Sequence, residues 1–203
     1  MKIVIFGAGR TGKNLANALT ANKYNVTIVD EKREVCDEVA AESNATVICG
    51  DATDPELLEE LELEKADYVF AVTGNEETNF LVSVYAKHVN ATTVISSASE
   101  PKYSHLMEKL GVEPLIPQLI LARELANKVI NPTITRMLNP NDSKIEMREK
   151  KVDKGMEGKT VGEISEKNRY VVVSIYHEGK FLFPNQNFVL KDGMKIVTVK
   201  HNV

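Results

Sequence analysis

Short apolar runs and longer amphipathic stretches alternate through the first half of the chain. The apolar runs fall at Lys2–Phe6, Asn25–Val29, Thr46–Cys49, Tyr68–Val72, Thr93–Ser96 and Glu113–Ile116. They are brief and rich in β-branched residues, as expected of parallel strands covered on both faces. Between them the pattern predicts helices over Thr11–Asn22, Arg33–Ser43, Pro55–Leu61, Glu76–Val89 and Pro101–Leu110. Asp54 stands as a side-chain cap just before Pro55, and Pro101 takes the first helical position after Glu100. Six β-like runs separated by five helices specify an α/β fold with a Rossmann-like doubly wound parallel sheet.

From Pro117 the pattern changes. Leu121, Leu125 and Val129 recur at four-residue steps on one helical face. Asn131-Pro132 breaks that helix and Thr133–Leu138 resumes it. The polar, turn-rich stretch Asn139-Pro140-Asn141-Asp142-Ser143 predicts a boundary. Beyond it the chain reads as a small α+β unit. Its elements are a short helix over Gly158–Glu166, a strand over Val171–Tyr176, a tight turn at His177-Glu178-Gly179, a return strand over Lys180–Phe183 and a last strand over Lys195–Val199. The organisation is therefore 1–116, a helical segment over 117–143, and 144–203. A unit of about 60 residues has little core of its own, so it is expected to dimerise or dock.

Composition narrows the classes. With 203 residues, 43% apolar and 27% charged, this is an ordinary globular chain. A net charge of -4 argues against nucleic acid as the main partner, which usually demands a basic face. No apolar stretch approaches the roughly 18 residues that span a bilayer, and the N-terminal apolar run is expected to be a strand rather than a signal peptide. Cys36 and Cys49 both sit beside apolar residues, so both are expected to be buried and reduced.

The candidate chemistry gathers after the first strand. Gly7-Ala8-Gly9-Arg10-Thr11-Gly12 joins that strand to a helix, and Asp30 closes the next strand. This is a dinucleotide-binding arrangement: a glycine turn, close backbone approach to a pyrophosphate, and an acid about 20 residues on for the ribose hydroxyls. The helix N-terminus adds free N–H groups and a positive dipole end. An acid at Asp30 repels a 2′-phosphate and favours NAD-like ligands over NADP. Gly50-Asp51-Ala52-Thr53 and Thr73-Gly74-Asn75 follow the third and fourth strands, on the ligand side of such a sheet.

Over essentially its whole length the sequence resembles the RCK or KTN family of potassium-transport regulatory subunits, as in Trk and Ktr uptake systems. The resemblance rests on the strand–GAGRTG–helix unit, Asp30, GDATD at Gly50–Asp54, AVTGNEETN at Ala71–Asn79, the helix–turn–helix from Pro117, and a C-terminal module with Gly158-Lys159-Thr160-Val161 before its helix. It implies a homodimer that assembles into a larger ring beneath a membrane potassium transporter or channel subunit, with NAD(H) or ATP/ADP tuning ion flux. The helices after Pro117 correspond to the family's intersubunit crossover. Arg10 matches an arginine that meets a phosphate, and Glu77 with Asn79 matches a polar pair facing the nucleotide or a neighbouring subunit. Where many relatives carry a basic residue after the fifth strand, this chain reads Ser96-Ser97-Ala98-Ser99. Together the motifs and the resemblance nominate Gly7, Ala8, Gly9, Arg10, Thr11, Gly12, Asp30, Asp51, Ala52, Thr73, Gly74, Glu77 and Ala98 as nucleotide-binding.

Two other classes compete. An NAD-dependent oxidoreductase would need a catalytic set. Tyr176-x-x-x-Lys180 has a short-chain-dehydrogenase spacing, but it straddles a predicted turn, where it needs a helix. His88, His105, His177 and His201 stand apart, and none suggests a proton relay, His177-Glu178 being part of the predicted tight turn. An NAD-sensing DNA-binding regulator would need a basic recognition helix, whereas Lys144 to Lys154 is mixed in charge and reads as solvated strand and linker. Lone carboxylates such as Asp51 and Glu77 lack ligand spacing for a metal. The expectation is a regulator that binds nucleotide without turning it over.

Overall fold

The computed structural model describes residues 1–138 and 144–201. Backbone contacts gather the chain into two compact units, Met1–Arg123 and Glu124–Val203. The sequence boundary at 116/117 falls just before the helix in which this division lies. The turn-rich stretch at 139–143 is outside the described residues.

In the first unit the elements run β1 (Lys2–Phe6), α1 (Arg10–Ala21), β2 (Asn25–Asp30), α2 (Arg33–Glu42), β3 (Thr46–Cys49), α3 (Pro55–Glu60), β4 (Tyr68–Ala71), α4 (Glu76–His88), β5 (Thr93–Ser97), α5 (Pro101–Lys109) and β6 (Glu113–Leu115). The six strands form one sheet in the order β3-β2-β1-β4-β5-β6, every pair parallel. The chain winds outward from β1 to β3, returns to β4 beside β1, and winds outward the other way. The doubly wound sheet read from the strand and helix periodicity is therefore the fold of this unit. The reversal between β1 and β4 opens a crevice at the carboxyl ends of those strands.

β1 is central, and its residues Ile3–Phe6 are at most 1% exposed. Alternation sends Ile3 and Ile5 to one face, against Ala16 of α1 and Val39 of α2. Val4 and Phe6 go to the other, with Leu58, Val82 and Met107 of α3, α4 and α5. Both faces are thus sealed by helices, which is why the strands read as continuous apolar runs. Pro114 can occupy β6 because that strand is outermost. The same edge logic corrects one expectation. Cys36 on α2 is buried, but Cys49 is exposed, because β3 is the opposite edge strand and Cys49 is its last residue.

The second unit begins within α6 (Pro117–Ile130) and continues with α7 (Pro132–Leu138), β7 (Ile145–Lys151), α8 (Val161–Asn168), β8 (Val171–His177), β9 (Lys180–Leu182) and β10 (Lys195–His201). The last four strands pair antiparallel in the order β7-β10-β8-β9. Val152, Ile164, Tyr170, Ile175, Leu190 and Ile196 lie in its core. The β8–β9 turn has positive φ at Glu178 (48°) and Gly179 (79°), the two-residue turn whose twist suits a hairpin. α8 starts at Val161 because Thr160 caps it reciprocally with Glu163. The mixed-charge stretch from Lys144 is largely the edge strand β7, where Lys195 pairs with Glu149 at 3.0 Å.

α6 and α7 contain no buried residue. Leu121, Leu125 and Val129 are 60%, 56% and 82% exposed, and Ile130, Ile134 and Leu138 are exposed with them. Among the described residues no helix is long and apolar enough to cross a membrane.

Candidate functional site

The loop after β1 is fixed by steric necessity. Gly7 has φ +100°, and a Cβ there would stand 2.8 Å from the Thr73 backbone and the Val72 carbonyl. Only glycine accepts both the conformation and the contact. Its N–H donates to the Val29 carbonyl at 2.7 Å, which joins the loop to β2. Gly12 lies inside α1, where a Cβ would fall 1.8 Å from the Gly7 carbonyl oxygen. Helix and loop therefore touch through bare backbone.

Gly9 is different. A Cβ at Gly9 would meet nothing within 4 Å, so packing of the protein itself does not demand glycine there. Gly9 is the N-cap of α1, no side chain caps that end, and its first turn carries no acid. The leading N–H groups of α1 and its positive dipole end are left available to an anion.

Asp30 builds the other half. One carboxylate oxygen accepts the Ala8 N–H at 2.7 Å and the other the Lys32 N–H at 3.0 Å. The side chain ties the glycine loop to the end of β2, and each oxygen keeps a lone pair for a further donor. Asp51 accepts from the Thr53 N–H at 2.8 Å and its hydroxyl at 2.7 Å. Those bonds hold its carboxyl below the ordinary range, first through the backbone donor and then through the hydroxyl.

Across the crevice Asn79, buried at the start of α4, braces the loop after β4. Its carbonyl oxygen accepts from the Thr73 N–H at 2.9 Å and the Thr73 hydroxyl at 2.7 Å, while its amide donates to the carbonyls of Thr73 at 3.2 Å and Ser97 at 3.3 Å. Asn75 caps α4 by accepting the Thr78 N–H at 2.8 Å.

These walls enclose a cavity of about 480 Å³, within the range of small-molecule sites. Gly7, Gly9, Asp30, Asp51, Ala52, Thr73 and Gly74 line it. Ala8 is buried behind the loop with its N–H on Asp30. Arg10 and Thr11 are exposed in the first turn of α1, and Gly12 serves the helix–loop contact. Two nominated residues stand elsewhere. A Glu77 carboxylate oxygen lies 3.4 Å from the Tyr103 hydroxyl, and Ala98 is buried with its N–H on the Leu115 carbonyl at 2.9 Å.

Asn75, read with Thr73-Gly74 from sequence, lines the cavity too, as do Glu31, Lys32, Val35 and Thr78, none of which was among the nominated residues. Adjacency to Asp30 and to Thr73-Gly74 was the available signal. Glu31 adds a second carboxylate beside Asp30, and Lys32 adds a cation at the same end. The Tyr176–Lys180 pair sits across the β8–β9 hairpin in the other unit, with Tyr176 against Phe181 at 5.1 Å between ring centroids.

The TrkA-N domain family matches residues 3–132. A Trk system potassium uptake protein TrkA homologue of Methanothermobacter thermautotrophicus is 33% identical over 97% of this chain and 92% of its own length. A TrkA homologue of Archaeoglobus fulgidus is 34% identical over 98% of the chain, which spans 47% of that longer protein. Among solved structures, the GsuK RCK domain superposes with a TM-score of 0.54 at 18% identity, covering 98% of this chain and 44% of that one. The human SLO3 gating ring gives 0.64 at 12% identity, with coverage of 98% and 44%. These last likenesses speak to the fold, which is that of RCK domains. Sequence kinship carries the assignment further: this chain belongs to the TrkA-N family and is kin to the TrkA proteins of Trk potassium uptake systems.

Proposed function

We propose that this protein is a nucleotide-sensing regulatory subunit that gates potassium transport through a membrane transporter or channel subunit, held through that partner at the cytoplasmic face of the membrane. The observation that carries the reading is the cavity at the β1/β4 reversal, walled by the glycine loop, Asp30, Asp51 and Thr73-Gly74. The open space at Gly9 and at Gly74, where a Cβ would meet nothing within 4 Å, fits backbone approached by a bulky group. The uncapped start of α1 suits phosphates, with Arg10 beside it. Asp30 suits ribose hydroxyls, and Asp51 with Ala52 suits the adenine edge. Both NAD(H) and ATP/ADP satisfy this layout. GsuK, a structural neighbour, has been solved as a channel bound to NAD and also bound to ADP.

Regulation follows if two nucleotides prefer different shapes of the assembly. Each shifts the gate by its difference in affinity between shapes. A tenfold difference supplies about 1.4 kcal/mol per site, and sites in one ring add. The test reconstitutes the protein with its membrane partner and follows rubidium uptake with NAD, NADH, ATP and ADP. Nucleotide-dependent flux is expected, and Arg10→Ala should blunt the nucleotide response more than the basal flux. Flux indifferent to protein and nucleotide alike, or steady NADH oxidation with a small substrate, overturns the regulator reading.

Assembly is expected through α6. The apolar stripe of Leu121, Leu125 and Val129 is exposed in the single chain, and stripes of this kind mark interfaces. Sedimentation at micromolar concentration should show a dimer or larger ring. A lone 22.5 kDa species would remove the stripe from that role.

A further inference from the structure

Two thiols converge on the backbone at the end of β2. Cys36 lies in the first turn of α2 and is 4% exposed. Its Sγ is 3.3 Å from the Asp30 carbonyl oxygen and 4.0 Å from that of Ile48. Cys49 ends β3, exposed, with its Sγ 3.8 Å from the Glu31 carbonyl oxygen. Asp30 and Cys49 are paired in the β2–β3 register, so both thiols rest on the same two-residue stretch of backbone. Among the described residues these are the chain's free cysteines.

We propose that Cys36 and Cys49 form a reversible intramolecular disulfide on exposure to a peroxide, and that this bond weakens nucleotide binding in the adjoining cavity. The second half rests on the nucleotide-site reading above. The roles of the two thiols follow from their surroundings. Burial first, and then the neighbouring Cys49 thiol, push the Cys36 thiol up to about 11, so it is the slower thiol to meet peroxide and keeps its proton until the second step. Cys49, at the surface, is the thiol a peroxide can reach, and the thiolate is the attacking form. Its sulfur takes one peroxide oxygen, the O–O bond breaks, and hydroxide leaves. The resulting sulfenic acid is then attacked by the Cys36 sulfur. The S–S bond forms, the S–O bond breaks, and the Cys36 proton leaves with that oxygen as water. Two thiols are oxidised and one peroxide becomes two waters.

The bond reaches the cavity through both of its flanks. An S–S distance near 2.05 Å draws the sulfurs off the Asp30 and Glu31 carbonyls and ties the start of α2 to the end of β3. Glu31, Lys32 and Val35 precede Cys36, Asp51 and Ala52 follow Cys49, and all five line the cavity. Moving either thiol therefore moves a wall.

The test treats the full chain with hydrogen peroxide, reads the intact mass without reductant, and titrates NAD and ADP before and after. Loss of two hydrogens, confined to the tryptic peptide Glu34–Lys65 that carries both thiols and seen as a Cys36–Cys49 cross-link after glutamyl cleavage at Glu38 and Glu42, and at least a fivefold loss of affinity reversed by dithiothreitol are expected. Cys49→Ser, a change at an exposed site, should keep its affinity through the same treatment. Oxidation that stops at a Cys49 sulfinic acid, or no mass change, overturns the disulfide whatever the nucleotides do. A disulfide with unchanged affinities overturns the coupling. Reduced protein that binds neither nucleotide overturns the site reading and the coupling with it, while the disulfide stands on its mass.

Discussion

Gly12→Ala is expected to leave little folded N-terminal unit. The added methyl would sit 1.8 Å from the Gly7 carbonyl oxygen and 2.9 Å from its carbon. These are backbone atoms of a loop pinned by the Gly7–Val29 hydrogen bond, so no flexible side chain can yield. Relief requires α1 to lift off β1, which uncovers Ile5 and Ala16 in the core. The cost should exceed about 4 kcal/mol, at the far end of what single substitutions do, against a typical total stability of roughly 5–15 kcal/mol. Urea unfolding followed by circular dichroism measures it, and a midpoint near wild type would mean that α1 stands further from β1 than described. Gly9→Ala is the counterpart. Its Cβ meets nothing within 4 Å, so the midpoint should barely move while nucleotide affinity falls.

Asp30→Ala should weaken NAD and ATP binding by about 1.5–3 kcal/mol, the worth of charge-assisted hydrogen bonds, or roughly tenfold to 150-fold. Two losses combine. The ribose hydroxyls lose their acceptor, and the Ala8 N–H, held at 2.7 Å, loses the partner that sets the glycine loop. The sheet should survive, because Asp30 is the half-exposed last residue of β2. Asp30→Asn keeps an acceptor for one of the N–H groups without the charge, and should fall between the two. Calorimetric titration decides, and unchanged affinities would take Asp30 out of the site.

The parts of this fold legible in sequence are those where one local cause decides. The parallel strands announced themselves because burial on both faces leaves no room for polar residues. The glycine loop was legible because Gly7 and Gly12 answer to backbone contacts that a short motif encodes in full. Asp54 and Pro55 marked the start of α3 by capping chemistry that the structure shows directly. What stayed hidden depends on where an element sits in the sheet. Cys49 has the same apolar neighbours as a core residue, and only the edge position of β3 exposes it. Asn79 was legible only as half of a polar pair with Glu77, and its four hydrogen bonds to Thr73 and Ser97 appear only once β4 and β5 lie side by side. Glu31 and Lys32 could not be assigned to the cavity from the strand pattern, because the turn after β2 decides which way they face.

The brace made by Asn79 has a thermodynamic corollary. Asn79 binds the cavity wall at Thr73 to the carbonyl of Ser97. One residue before the Glu77 position, Glu76 accepts the backbone N–H groups of Ser99 at 2.6 Å and Glu100 at 3.0 Å. The far wall of the crevice and the connection leading into α5 are thus one hydrogen-bonded body. Linkage between sites is reciprocal. If a neighbouring subunit that grips residues 97–100 changes the cavity's affinity for its ligand, a bound ligand changes the affinity of that grip by the same factor.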